Sequence, residues 1–99
     1  ILFVAEDDGN VAGFLELSID KNPRWFKHRL FGHIDAAIVH QRHRGKGILR
    51  ALTKAALAEL KMRHISTCRL IVFLKNPDAV TAWTNLGFKP LALRMTKKV

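Results

Sequence analysis

The densest grouping of chemically useful residues is Arg42-His43-Arg44-Gly45-Lys46-Gly47-Ile48. Two glycines one residue apart let a backbone turn tightly and approach a ligand closely. The N–H groups of such a turn, and of a helix starting from it, converge on one point and suit an anion such as pyrophosphate. Arg42, Arg44 and Lys46 add positive charge beside that point. A plain turn with solvated basic side chains reads similarly, and a bare Gly-x-Gly does not separate the two. Two nucleotide motifs are excluded. The Gly-x-x-x-x-Gly-Lys-Ser/Thr loop finds neither its spacing nor its hydroxyl here. The dinucleotide fingerprint needs a third glycine at the position of Arg50.

Other reactive side chains carry weaker signals. His28, His33, His40, His43 and His64 show no metal-ligand spacing and read as surface or turn residues, so no metal is expected. Cys68 falls in an apolar run and reads as a small core residue. Arg24-Trp25-Phe26-Lys27-His28-Arg29 could rim a substrate or stack on bases, but a solvated loop anchored by two aromatics is the commoner outcome.

Regular elements must position these groups. Ile1 to Glu6 reads as a strand, Asp7-Asp8-Gly9-Asn10 as a turn and Val11 to Ile19 as a second strand. The second strand puts Leu15, Leu17 and Ile19 on one face and Phe14, Glu16 and Ser18 on the other. Two such runs around a short Asp-Gly turn make a β-hairpin. After a basic loop, Phe31 to His40 is a third strand. Ile48 to His64 is a helix, with Leu49, Leu52, Ala56 and Leu60 at helical spacing. Cys68 to Leu74 is a near-continuous apolar run, as in a strand buried on both faces. Asn76 caps a second helix, with Pro77 in its first position and Gly87 after its end. Phe88 to Lys98 reads as a last strand. The order is β-β-β-α-β-α-β, an α/β chain with an α+β-type mixed sheet. The strand-helix-strand unit from Phe31 to Leu74 should be a right-handed parallel crossover.

Composition sets the frame. The 99 residues are one domain's worth, 1–99, and their 48% hydrophobic content is that of a globular chain. No apolar run reaches the ~20 residues of a membrane span, so no membrane partner is expected. One cysteine forbids an internal disulfide, which fits a reducing, cytoplasmic setting. The start at Ile1, without Met, reads as a chain that begins inside a fold. A formal net charge of +9 attracts anions, a phosphorylated ligand or nucleic acid among them.

Together these residues resemble the GNAT-type N-acetyltransferase superfamily. Arg42-His43-Arg44-Gly45-Lys46-Gly47 matches its Gln/Arg-x-x-Gly-x-Gly/Ala motif. Asn76, Ala79, Trp83 and Leu86-Gly87-Phe88 match its Asn-x-x-Ala-x-x-x-Tyr-x-x-x-Gly-Phe helix. Both blocks stand in order, separated by one helix and one strand, and the resemblance runs from Ile1 through essentially the whole chain. It implies a GNAT-like acyl-CoA N-acyltransferase fold with splayed parallel central strands, a domain truncated at its N-terminus, and an exposed apolar edge that invites a homodimer.

The resemblance also implies roles. Acetyl-CoA is the co-substrate and a primary amine the acceptor, attacked directly. Backbone groups of Ile38 and Val39 bind the pantetheine arm, amides from Arg42 to Ile48 hold the pyrophosphate, and Asn76 reaches the pantetheine. Ala79 and Trp83 belong to the same cofactor helix. A protonated amine must lose a proton before it attacks, and a carboxylate can take it. Asp35 stands where many members carry Glu or Asp, and Glu16 is the second candidate. A cross-strand ion pair accounts for Asp35 equally well and is favoured for Glu16. The Val39 amide is the expected oxyanion donor. Trp83 stands where many members place a Tyr that protonates the departing sulfur, and the chain has no Tyr. An indole is no usable acid, but a thiol with an ordinary pKa of about 8.5 leaves readily as thiolate. Two rivals remain: an acyl-CoA-binding pseudoenzyme, and a basic nucleic-acid-binding module, which explains the charge but neither motif.

Overall fold

The computed structural model describes residues 1–99. Its elements are β1 (Leu2–Asp7), β2 (Asn10–Lys21), β3 (Leu30–Val39), α1 (Ile48–Met62), β4 (Cys68–Leu70) and α2 (Pro77–Asn85). A short 3-10 turn at Gln41–His43, not foreseen from sequence, separates β3 from the glycine loop. The four strands form one mixed sheet in the order β1-β2-β3-β4. β1, β2 and β3 are antiparallel neighbours, and β4 runs parallel to β3.

The hairpin between β1 and β2 turns on Asp8 and Gly9, both with positive φ (51° and 77°). Two positive φ angles are what a tight turn between right-twisted strands requires. Alternation along β2 then decides the core. Leu15 and Leu17 are fully buried, and Ile34 of β3 joins them on that face. Leu52, Ala56 and Leu60, one stripe of α1, close over it, with Ile65 just beyond the helix. Phe14, Glu16 and Ser18 lie on the opposite face, as their alternation dictates.

Two expected strands differ from the sequence reading. β4 covers only Cys68–Leu70 instead of running to Leu74, and Ile71, Phe73 and Leu74 are exposed. The last strand, Phe88 to Lys98, does not form, and its alternating Leu91, Leu93 and Met95 are 73%, 80% and 86% exposed. The reason is common to both. A strand is a strand by virtue of a neighbour, and apolar alternation has meaning only against a surface it can cover. Beyond Leu70 the pairing of β3 with β4 stops, and neither segment has a strand hydrogen-bonded to it.

Gly32 is where the helix meets the sheet most closely. A Cβ there would run into the side chain of Leu60, which is 2% exposed and has no room to move. Gly32→Ala is therefore expected to destabilise the fold by about 1–3 kcal/mol through overpacking. A thermal melt should show a Tm lowered by several degrees, and an unchanged Tm would mean that α1 does not pack on β3 this tightly.

Candidate functional site

The site begins where two parallel strands part. Gly32, His33 and Ile34 of β3 pair with Cys68, Arg69 and Leu70 of β4, and there the ladder ends, although β3 continues to Val39. On its other side β3 stays paired with β2, but the register slips between Glu16 and Leu17, which face Ala36 and Ile34. Asp35 is the unpaired extra residue, a β-bulge. A bulge bends its strand and interrupts the ladder, and this one lies directly after the last β3–β4 pair.

Past the bulge, alternation decides which backbone groups face the opening. The His40 N–H donates to the Ala12 carbonyl of β2 (2.7 Å). Bonded and non-bonded pairs alternate along an antiparallel ladder. Ile38 is therefore committed to Phe14, its register partner, and Val39 points away from β2 into the gap. The expectation that Ile38 and Val39 both offer their backbone is corrected here: the gap receives Val39, and Ile38 is spent on the sheet. The Val39 carbonyl already accepts from Arg44 Nε (3.2 Å), which leaves its N–H as the free group.

The glycine loop continues from β3. Its first amides are occupied, contrary to the expectation that all from Arg42 to Ile48 are available. The Arg42 N–H donates to the ring Nδ1 of His40 (3.2 Å), His43 N–H to the His40 carbonyl and Arg44 N–H to the Gln41 carbonyl. The 3-10 turn consumes them. From Gly45 through Lys46, Gly47, Ile48, Leu49 and Arg50, no N–H has an acceptor in the protein. Gly45 and Gly47 hold φ of +82° and +79°, a left-handed geometry natural to glycine. Gly47 is the N-cap of α1, and no side chain caps that end. Orphan amides at a helix start carry partial positive charge and favour an anion.

A three-residue tether that the sequence did not reveal holds this loop. Asp7, at the end of β1, accepts on Oδ2 from His43 Nδ1 (2.8 Å) and from Lys46 Nζ (2.9 Å). The bond from Lys46, then that from His43, keeps the Asp7 carboxyl below its usual range, and the same contact with Asp7 raises Lys46. Asp7 reads as a turn residue in sequence. The signal that could have found it is topological: the end of β1, the start of β2 and the end of β3 must share one edge of the sheet, where the loop begins.

On the sheet face opposite α1 lies a second cluster. Ser18 Oγ and His33 Nδ1 both donate to Asp35 Oδ1, at 3.1 and 2.9 Å. The cross-strand ion pair weighed for Asp35 is not what forms: its partner across the strands is the neutral Ser18 hydroxyl, and His33 belongs to the same strand. Glu16 projects from β2 on the same face, exposed and without a side-chain hydrogen bond. The second motif block is also in place. Asn76 Oδ1 accepts from the Ala79 N–H (3.2 Å), a helix cap that leaves its amide nitrogen available. Trp83 packs edge-on against Phe88, with ring centroids 5.5 Å apart, beside the core cluster. Burial pushes the Cys68 thiol up to about 11, so it stays protonated at neutral pH. Trp25 is 83% exposed and anchors nothing, unlike the loop aromatic expected from sequence.

Asp7→Asn tests the tether. A carboxyl depressed in the folded state stabilises that state fully above its unfolded value of about 4, and the contribution is lost as pH falls through the lower folded value. Lys46, raised when folded, contributes below its ordinary value and loses this as pH rises through the raised one. The Tm difference between the parent protein and Asp7→Asn should accordingly be present at neutral pH and vanish in acid. A difference that persists at the acid end would exclude the tether.

Comparison with known proteins agrees with this geometry. The model described as the acetyltransferase (GNAT) family matches residues 1–88. N-acetyltransferase 8 of Mus musculus is 31% identical over 87 residues, which are 88% of this chain and 37% of that protein. Among solved structures, a tetramutant of the BH1408 protein from Bacillus halodurans superposes with a TM-score of 0.88 at 19% identity, over 99% of this chain and 65% of the other. An aminoglycoside N-acetyltransferase AAC(6')-Iy, in complex with CoA, gives 0.87 at 17% identity, over 99% of this chain and 74% of its own. At these identities the two structural likenesses concern the fold. The chain spans less than two thirds of the curated relative and of the Bacillus halodurans protein. With the family's two sequence blocks flanking the parted strands and its model matching residues 1–88, the chain belongs to the acetyltransferase (GNAT) family.

Proposed function

We propose that this chain forms the acetyl-CoA site of an N-acetyltransferase that passes the acetyl group directly to a primary amine. One observation carries the reading: β3 and β4 part after Ile34 and Leu70 beside a loop whose amides from Gly45 to Arg50 have no acceptor. A diphosphate has the charge and the acceptor oxygens to satisfy such amides. The residues present fit acetyl-CoA on that ground, with the Val39 N–H turned into the gap and the Asn76 amide nitrogen unspent. Bound acetyl-CoA supplies an activated thioester.

The chain's own groups then have defined tasks. Gly45, Lys46, Gly47 and Ile48 hold phosphate through their amides. Arg44 and the Asp7 tether fix the loop at both ends. The Val39 N–H donates to the extended pantetheine arm where it runs along the gap. Asn76 orients the pantetheine arm. The proton of the incoming amine goes to the polar face that carries Glu16, Ser18, His33 and Asp35. Direct transfer is supported by Cys68, whose protonated, half-buried thiol makes a poor nucleophile. A cytoplasmic location and a homodimer, the latter through the exposed Leu91, Leu93 and Met95, belong to the same proposal.

Isothermal calorimetry with acetyl-CoA tests the site, and absence of binding at millimolar concentration would refute it. Gly47→Glu should abolish binding by putting a carboxylate among the amides. No atom lies within 4 Å of a Cβ at Gly47, but its φ of +79° strains any side chain there, so Gly47→Ala is the uncharged control and should keep more of the affinity. Retained affinity in Gly47→Glu would show that the loop does not hold the phosphates. Thiol release across a panel of primary amines separates the enzyme from a binder: binding without release would assign an acyl-CoA-binding protein.

A further inference from the structure

We infer that His33, and not a carboxylate, takes the proton from the acceptor amine, with Asp35 as its positioning residue. The inference rests on the acetyl-transfer reading and deepens it. Sequence placed His33 among surface histidines and placed the base at Asp35 or Glu16. The structure arranges these groups differently.

His33 is the second of the three β3 residues still paired with β4, and the ladder ends at the next one. By register it lies one pair before the strands part, and by alternation with Gly32 and Ile34 its ring is on the face away from α1. Asp35, carried one residue out of register by the bulge, turns its Oδ1 back onto the ring at 2.9 Å. An ionised carboxylate has only acceptors, so His33 Nδ1 must carry the hydrogen. That fixes the neutral tautomer and leaves Nε2 as a lone-pair acceptor with no partner in the protein. Ser18 Oγ, on the strand across the register, holds the same carboxylate oxygen at 3.1 Å and stops it from swinging away. The ring is 27% exposed and Asp35 39%, so solvent and an amine can reach both.

Chemistry favours the ring over the carboxylate. An ordinary imidazole is a better base than an ordinary aspartate by about two and a half pK units. A catalytic base works best when matched to the solution in which it operates, and histidine is the side chain matched to neutral pH. Charged and titratable groups facing the ring are Glu16 and Asp20 from β2, Asp35 from β3 and Arg69 from β4, its register partner. The Arg69 guanidinium is engaged with the Phe31 ring at 4.1 Å. In the step itself, the ammonium N–H bond breaks and its proton goes to Nε2. The freed nitrogen lone pair forms the bond to the acetyl carbon as the carbonyl π pair moves onto oxygen; the bonded nitrogen then gives its second proton to solvent, and the oxygen pair re-forms the carbonyl. The carbon–sulfur bond then breaks, and its electron pair leaves with the thiolate. The imidazolium returns its proton to the solvent or to that thiolate.

The test compares two nucleophiles with acetyl-CoA. n-Butylamine is protonated at neutral pH and needs a base, whereas hydroxylamine is already unprotonated. His33→Gln should lower enzyme-dependent thiol release with n-butylamine by about 10²- to 10⁴-fold at pH 7 and leave hydroxylamine turnover close to that of the parent. The n-butylamine deficit should narrow as pH rises and the amine loses its proton unaided. Asp35→Asn should show the same selectivity with a smaller loss, because the ring remains but is no longer oriented. Unchanged n-butylamine turnover in His33→Gln, or an equal loss with both nucleophiles, overturns the assignment. Calorimetry on the same variant distinguishes the levels. Retained acetyl-CoA affinity confines a failure to the proton step, whereas a parent protein that binds no acetyl-CoA brings down the underlying reading and this inference with it.

Discussion

A parallel pair of strands stays hydrogen-bonded only while both keep the same two-residue repeat, and the extra residue at Asp35 breaks that repeat in β3. The consequences spread from there. Before the bulge, Gly32 and Ile34 belong to the core beneath Leu60. After it, the backbone groups facing the former partner are those of Val39, and no strand meets them. Backbone polar groups left open in this way demand a partner. An extended ligand with amides of its own is a natural one.

The glycine loop completes the opening because β3 leads straight into it. Its amides are free for two reasons. The 3-10 turn ends at His43 and uses only the donors before Gly45. No side chain caps α1. A conventional cap at position 47 would have silenced one of those donors. The Asp7 tether does the opposite service: it holds Lys46 and His43 from the side without covering the amides. Anchoring a loop to a neighbouring strand costs nothing at the binding point and reduces the ordering needed when an anion arrives.

Charge and burial explain how two sides of one sheet take different work. The face under α1 is closed by Leu15, Leu17, Ile34, Leu52 and Leu60 and carries the stability. The other face gathers Glu16, Ser18 and His33, with Asp35 on the bulge, and stays open to solvent. Polar groups that remain hydrated cost little. They are free to serve chemistry.

Much was legible in the residues themselves. Alternation along Val11–Ile19, the helical stripe Leu49–Leu60, the Asp-Gly hairpin and the Asn76-Pro77 helix start are local signals, written in neighbours a few positions apart, and they fixed these elements and the two motif blocks. The strands Ile71–Leu74 and Phe88–Lys98 carry equally good local signals and yet do not form, because pairing is a property of two segments and only the sheet decides whether the second is there. The same holds for the site. Gly45 and Gly47 could be found by type and spacing. Asp7 with His43 and Lys46, and His33 with Asp35 and Ser18, are contacts across 36, 39, 2 and 17 positions that share one acceptor each. A single bulged residue sets which face and which edge those groups occupy. One residue of register reverses every side chain beyond it, and no count of residue types along the chain contains that information.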